Sequence, residues 1–243
     1  MSELHALGFH AADRAQLEAA DPVLTTQALQ RVQTRAWQAV AEVYRALRPG
    51  LTEPEGRELA SQILLSGGAT SHWHRPHLRF GPGTALTFDD PLQPDYRLQP
   101  GDPVYIDLGP VYRDPLTGLQ LEADVGCTLH LGQPRDLDSA RCSQIVKTVF
   151  DEGVRYWREH HPSGHALYDH LDALAASHGY RLLRDVHGHR LSELPHHKYT
   201  RAGVGQMHFA PAPGVWVLEV QLVPLQLQPG QTPFGGFYED LLV

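Results

Sequence analysis

The chain has 243 residues, 42% of them apolar and 20% charged, with a formal net charge of −8. That length suits one large domain or two small ones with a full core, while the acidic balance argues against a nucleic-acid binder, which needs a basic face, and against docking on an anionic membrane. No apolar run approaches the about 20 residues of a membrane span, and MSELHALGFHAADRAQ holds no apolar signal core, so a cytoplasmic protein is expected.

Residues 1–24 show no period and read as a lead-in; residues 25–243 read as one domain, because no linker divides them. From Thr25, the residues Leu29, Val32, Ala36, Val40, Val43 and Leu47 step by three and four, which predicts an amphipathic helix stopped by Pro49-Gly50. Thr52 and Glu55 form a T-x-x-E capping box for a second helix, ended by Gly67-Gly68. The stretch 71–100 is rich in His, Pro and Gly, with a short β-like piece at His77–Phe80. Val104–Leu108 and Cys127–Leu131 read as strands. Asp138 or Ser139 could cap a helix through Ile145, Val149, Val154 and Trp157, and Ser163 another, closed by Gly179. Strands then dominate, at Val215–Val223 and Phe237–Val243. This order of helices, strands, helices, strands predicts an α+β protein of two α/β halves meeting on one curved, mostly antiparallel sheet.

Neither Cys127 nor Cys142 lies in a CxxC pair, which excludes a zinc knuckle; reduced, buried thiols are expected. Sixteen histidines make any lone histidine uninformative. The acidic residues say more. Val104, Ile106 and Leu108 share one face of their strand, and Asp107 lies on the other with Tyr105. Glu219 is the only charge in Trp216–Val223, Glu239 falls within Phe237–Val243, and Asp124 immediately precedes a further strand. A carboxylate inside so apolar a strand is costly unless it is neutralised. Four such cases with few Lys or Arg nearby call for cations, and two divalent ions about 3.5–4 Å apart would serve.

These segments together resemble the metallohydrolases of the methionine aminopeptidase, prolidase and creatinase group, the M24 metallopeptidases with the pita-bread fold. Gly101-Asp102-Pro103-Val104-Tyr105-Ile106-Asp107-Leu108-Gly109 resembles the G-D-x-x-x-x-D-x-G strand of that group. Asp124-Val125-Gly126-Cys127-Thr128 resembles its D-x-x-x-T segment, Gly188-His189 with His196 seven residues on its G-H…H segment, and Tyr238–Val243 its terminal E-D-x-x-V strand. The resemblance implies a pita-bread fold of two pseudo-symmetric halves and five metal ligands: Asp107, Asp124, His189, Glu219 and Glu239, with Asp124 and Glu239 bridging. It implies Glu219 as a proton carrier as well as a ligand, His196 as a substrate-facing or oxyanion-stabilising histidine, and His197 as a neighbouring substrate contact. Four carboxylates and one imidazole suit two ions of Mn(II), Fe(II), Co(II) or Zn(II). Glu122 competes with Asp124 for its role, and His187 with His189; the surrounding motifs favour Asp124 and His189.

The chain departs from the group at defined places. The catalytic histidine expected before the first aspartate is missing from Thr87-Phe88-Asp89-Asp90-Pro91, and His74 or His77 could fold back to replace it. Arg113–Leu121 resembles an insertion with its turn at Asp114–Gly118. Phe237 stands where prolidase-like members carry arginine, and Val220 where a proline often follows the third acidic ligand. The length is that expected of a bare catalytic domain. The implied reaction is hydrolysis of a peptide or small amide, first of all the N-terminal bond of a peptide by an aminopeptidase or Xaa-Pro-type dipeptidase. A creatinase-like C–N hydrolase and a non-catalytic binding module are the other readings, and a homodimer is compatible with each.

Overall fold

The computed structural model describes residues 14–18, 23–191 and 203–243. A single helical turn, α1 (Arg14–Leu17), lies within the expected lead-in. Leu17 packs into the core there, and Glu18 accepts hydrogen bonds from the Trp216 indole at 3.1 Å and the Ala212 amide at 2.7 Å.

The first half of the chain opens with α2 (Thr26–Ala46) and α3 (Glu53–Ser66). Thr25 caps α2 through the Ala28 amide at 3.1 Å. The Thr52–Glu55 capping box of α3 is closed in both directions, which satisfies two amide groups that a helix start otherwise leaves without partners. Strands β1 (Ser71–His72), β2 (His77–Phe80), β3 (Pro103–Leu108), β4 (Pro110–Arg113), β5 (Gln120–Glu122) and β6 (Val125–His130) follow. The second half repeats the plan with α4 (Leu137–His160), α5 (Gly164–Ser177), β7 (Tyr180–Leu182), β8 (Val217–Pro224) and β9 (Gly236–Leu241).

The six-stranded sheet runs β2-β3-β6-β9-β8-β7, with every pairing antiparallel. Each half thus contributes two helices and three strands, and the strand order of the second half mirrors that of the first about the central β6–β9 pair. Val104, Ile106 and Leu108 join α2 and α3 in one apolar cluster, while Leu218, Val220 and Leu222 join α4 and α5 in another. Strand alternation therefore turns Tyr105, Asp107 and Glu219 to the face away from the helices.

Several elements differ from the sequence expectation. Asp136, rather than Asp138 or Ser139, caps α4 through the Asp138 amide at 3.0 Å; the Ser139 hydroxyl instead donates to the Asp136 carbonyl at 2.9 Å. Strands β1, β4, β5 and β7 carried no legible alternation because each spans only two to four residues. The expected insertion is the β4–β5 hairpin, which pairs with β1 in a separate three-stranded sheet. Asp114 holds its turn by accepting from the Thr117 amide at 2.8 Å and hydroxyl at 2.7 Å, and Arg31 of α2 clamps the same carboxylate at 2.7 and 2.9 Å. The hairpin grows away from the ends of β3 and β6 and is anchored to a helix. Cys127 and Cys142 are free and buried. No described helix is long and apolar enough to cross a membrane.

Candidate metal centre

The register of the large sheet assembles the acidic residues. His77 pairs with Asp107, Asp107 with Gly126, Gly126 with Glu239, and Glu239 with Glu219, a single row across five strands. Asp124 lies two residues before Gly126, just ahead of β6. Beyond the end of β7 the chain runs beside the start of β8: Arg190 bridges Trp216, and the Val217 amide donates to the His189 carbonyl at 2.8 Å. Asp107, Asp124, His189, Glu219 and Glu239 are thereby brought to one place from five separate segments.

Asp124 stands at the middle. Its Oδ2 is 2.7 Å from His189 Nε2 and its Oδ1 is 3.2 Å from His74 Nε2, which is also 3.4 Å from Asp107 Oδ1. The carboxylate thus turns one oxygen to each of two imidazoles. Potential ligand atoms of Asp124, His189 and Glu239 lie within 4.8 Å of one another, and so do those of His74, His77 and Asp107. His196 and His197 lie outside the described residues. Glu122 lies on β5 in the smaller sheet, paired with Val111, and the His187 ring turns to the Asp185 carbonyl at 3.0 Å.

Four carboxylates share this patch, each at most 8% exposed. Burial drives Asp107 above the usual carboxylate range, helped by the charges of Asp124 and Glu219. Glu219 and Glu239 are raised for the same reason, Glu239 well above. Burial would raise Asp124 too, but the two histidines beside it hold it below the ordinary value. Burial alone would depress His74 and His189; the charges of Asp107 and Asp124 push His74 up to about 10, and the hydrogen bond and charge of Asp124 push His189 up to about 9. Burial and the nearby positive charge of His74 push His77 down to about 3.

Three supporting features carried weak sequence signals or none. Gln33 sits in the apolar stripe of α2, four residues after Leu29; it donates to the Asp124 carbonyl and accepts from the Asp124 amide, both at 2.7 Å, and so fixes that residue's backbone. The Tyr168 hydroxyl donates to the Glu219 carbonyl at 2.7 Å and lies 3.4 Å from the Glu219 amide, on a stretch of β8 that β7 no longer covers. Trp73 lies against both imidazoles, with ring centroids 4.4 Å from His74 and 4.9 Å from His189, and its indole donates to the Ala123 carbonyl at 3.1 Å.

Two glycines make the geometry possible. Gly188 has φ +53°, and a Cβ there would lie 2.2 Å from the Val217 carbonyl oxygen; its amide donates to Glu219 Oε2 at 3.2 Å. A Cβ on Gly109 would lie 2.1 Å from His74 Cδ2, so only glycine leaves room for that ring. At the stretch where the expected histidine is missing, the fully buried Arg79 donates to the carbonyls of Thr87 and Asp90 and fixes the loop.

The sequence matches the model of metallopeptidase family M24 over residues 27–242. The chain belongs to that family, whose members are metallopeptidases that bind divalent metals. Among solved structures it is similar to the prolidase from Pyrococcus furiosus, with a TM-score of 0.67 and 17% identity over 95% of this chain and 63% of that one. The Xaa-Pro dipeptidase from Bacillus anthracis gives 0.69 and 19% over 95% and 61%. Methionine aminopeptidase from Thermotoga maritima gives 0.61 and 15% over 89% and 92%. The chain therefore spans about three-fifths of the length of the first two. At these identities the likeness is one of fold, and the fold is the pita-bread fold. No curated protein sequence matches the chain.

The residues present suit divalent ions. Asp107 Oδ1 and Glu239 Oε1 are buried without a hydrogen-bond partner, a state that costs free energy unless a cation satisfies it. The donor set, carboxylate oxygens with imidazole nitrogen, is that of a borderline-hard ion.

Proposed function

We propose that the chain is a dinuclear metal-dependent hydrolase, an aminopeptidase or Xaa-Pro-type dipeptidase that cleaves the N-terminal bond of a peptide. The observation that carries the reading is the convergence of four buried carboxylates around Asp124, itself one of them, whose two oxygens each face a different imidazole. Asp107 would hold one ion, His189 and Glu219 the other, with Asp124 and Glu239 between them. Two bound ions of Mn, Fe, Co or Zn supply charge neutralisation and lower the pKa of a shared water.

The protein's own groups do the rest. Glu219 Oε2 is engaged by the Gly188 amide, which leaves Oε1 to take a proton from the attacking water and return it to the leaving amine. Gln33 and Tyr168 hold the backbones of Asp124 and Glu219, so neither carboxylate drifts as charge develops. Trp73 packs against the two imidazoles and limits their movement. By resemblance to the family, His196 is assigned the stabilisation of the oxyanion and His197 a substrate contact.

Metal analysis of the purified protein, followed by a peptide panel with each candidate ion, tests the reading. Two bound equivalents with release of an N-terminal residue are expected. Glu219→Gln should lower turnover by at least about 10²-fold, the scale of general acid–base catalysis; a fully active variant would refute the role.

A creatinase-like reaction on a non-peptide C–N bond is the second reading. It is favoured by Phe237, whose ring lies 4.3 Å from that of Tyr105, where prolidase-like members present a guanidinium. Two bound equivalents without cleavage of any peptide would select it.

A further inference from the structure

We propose that His74 and His77 are ligands of the ion on the Asp107 side, so that the centre holds three imidazoles instead of one. The inference rests on the metallohydrolase reading above and goes beyond the five ligands of the family pattern.

Four observations support it. His74 Nε2 faces Asp107 Oδ1 at 3.4 Å and Asp124 Oδ1 at 3.2 Å, and a ligand atom of His77 completes a group within 4.8 Å. An ion bound there would draw these donors in to about 2.0–2.2 Å from it. The ring orientation is also set: His74 Nδ1 donates to the Arg75 carbonyl at 2.9 Å, so Nε2, which faces the carboxylates, is the nitrogen that would exchange its proton for an ion. His189 repeats this arrangement on the other side, with Nδ1 3.3 Å from the Arg190 carbonyl. Two of the group's residues carry a buried atom without a hydrogen-bond partner, Asp107 Oδ1 and His77 Nδ1, and Asp107 is only 5% exposed. An ion between them would satisfy both.

The group is also built into the fold. His77 is held opposite Asp107 by the β2–β3 register, its ring stacks on that of His74 with centroids 5.5 Å apart, and Gly109 leaves the space His74 fills. A histidine that merely shuttled protons would need access to substrate; a ligand needs only a fixed nitrogen beside the carboxylate. Added imidazoles move the preference of a carboxylate site away from Mn(II), toward Zn(II), Co(II) or Fe(II).

The test is equilibrium dialysis and visible spectroscopy with Co(II) and Zn(II) on the full chain, for wild type, His74→Ala and His77→Ala. His77→Gln replaces the last if it fails to fold, as judged by circular dichroism. Wild type is expected to take up two equivalents. Each variant should weaken one equivalent by at least about tenfold, the smallest loss usual for a group that tunes a metal site, and should change the Co(II) d–d bands. The double variant should show a smaller preference for Zn(II) over Mn(II) than wild type. Wild-type affinity and spectrum in either single variant would overturn the proposal while leaving the hydrolase reading intact. No ion bound by wild type would remove that reading, and this proposal with it.

Discussion

Gly109→Ala isolates the placement of His74. Gly109 is not a positive-φ glycine, so alanine meets no backbone strain there. What it meets is the imidazole: the new methyl would lie 2.1 Å from Cδ2 and 2.2 Å from Nε2, with Trp73 Nε1 at 2.8 Å. Ordinary contact is about 3.5–4.0 Å, so the ring must retreat by about 1.5 Å, taking Nε2 out of hydrogen-bond range of Asp124. Overpacking of this kind costs about 1–3 kcal/mol. A displacement above 1 Å near the reacting groups can lower turnover by about 10²-fold. Thermal unfolding, Co(II) binding and turnover should therefore all deteriorate. The decisive measurement is the double-mutant cycle with His74→Ala, which empties the contested space: the cost of Gly109→Ala should shrink in that background, because the two positions share one cavity. An equal cost in both backgrounds would refute the argument that the glycine exists to admit His74.

Arg79→Met should destabilise the fold by about 3–5 kcal/mol in a denaturant titration, because it removes the cation 3.4 Å from the buried Glu53 carboxylate, which keeps the Phe80 and Gln93 amides, and the donor to the Thr87, Asp90 and Pro91 carbonyls. Asp114→Asn tests a pH effect. Hydrogen bonds from Arg31, with those from Thr117, hold Asp114 below the usual carboxylate range against the effect of burial. Its stabilisation is complete above about pH 4 and is lost as pH falls toward the depressed folded value, so the variant's stability curve should be flatter on the acid side. Burial pushes both Cys127 and Cys142 up to about 12; a thiol reagent should label neither in the native protein and both after unfolding. Thr52→Ala removes the capping box of α3 and should cost about 1 kcal/mol, read from the melting temperature.

Much of this architecture could be read along the chain. The three- and four-residue steps from Leu29 to Leu47 gave α2, the T-x-x-E box gave the start of α3, and alternation about Asp107 gave the face on which it lies. These signals are local, since they follow from helix and strand periods and from caps that bond within three residues. The short strands β1, β4, β5 and β7 were not legible, because a few residues cannot display a period. Gln33 is hidden within an apolar stripe, although a polar residue at a buried helical position needs a partner and here finds the Asp124 backbone.

The sequence by itself determined the family, the order of the acidic residues and the face that Asp107 takes on its strand. The G-H motif selected His189 and the sequence offered His74 and His77 as alternatives; only the tertiary structure decided that His74 stands beside Asp107 and Asp124. With sixteen histidines in the chain, spacing cannot select His74; the β2–β3 register, the turn at Trp73 and the missing side chain at Gly109 do. The physical reason is that alternation fixes direction within one strand, whereas register between strands is set by long-range packing and turn geometry. Direction set the face of Asp107, and register brought the acidic residues of separate strands into one row.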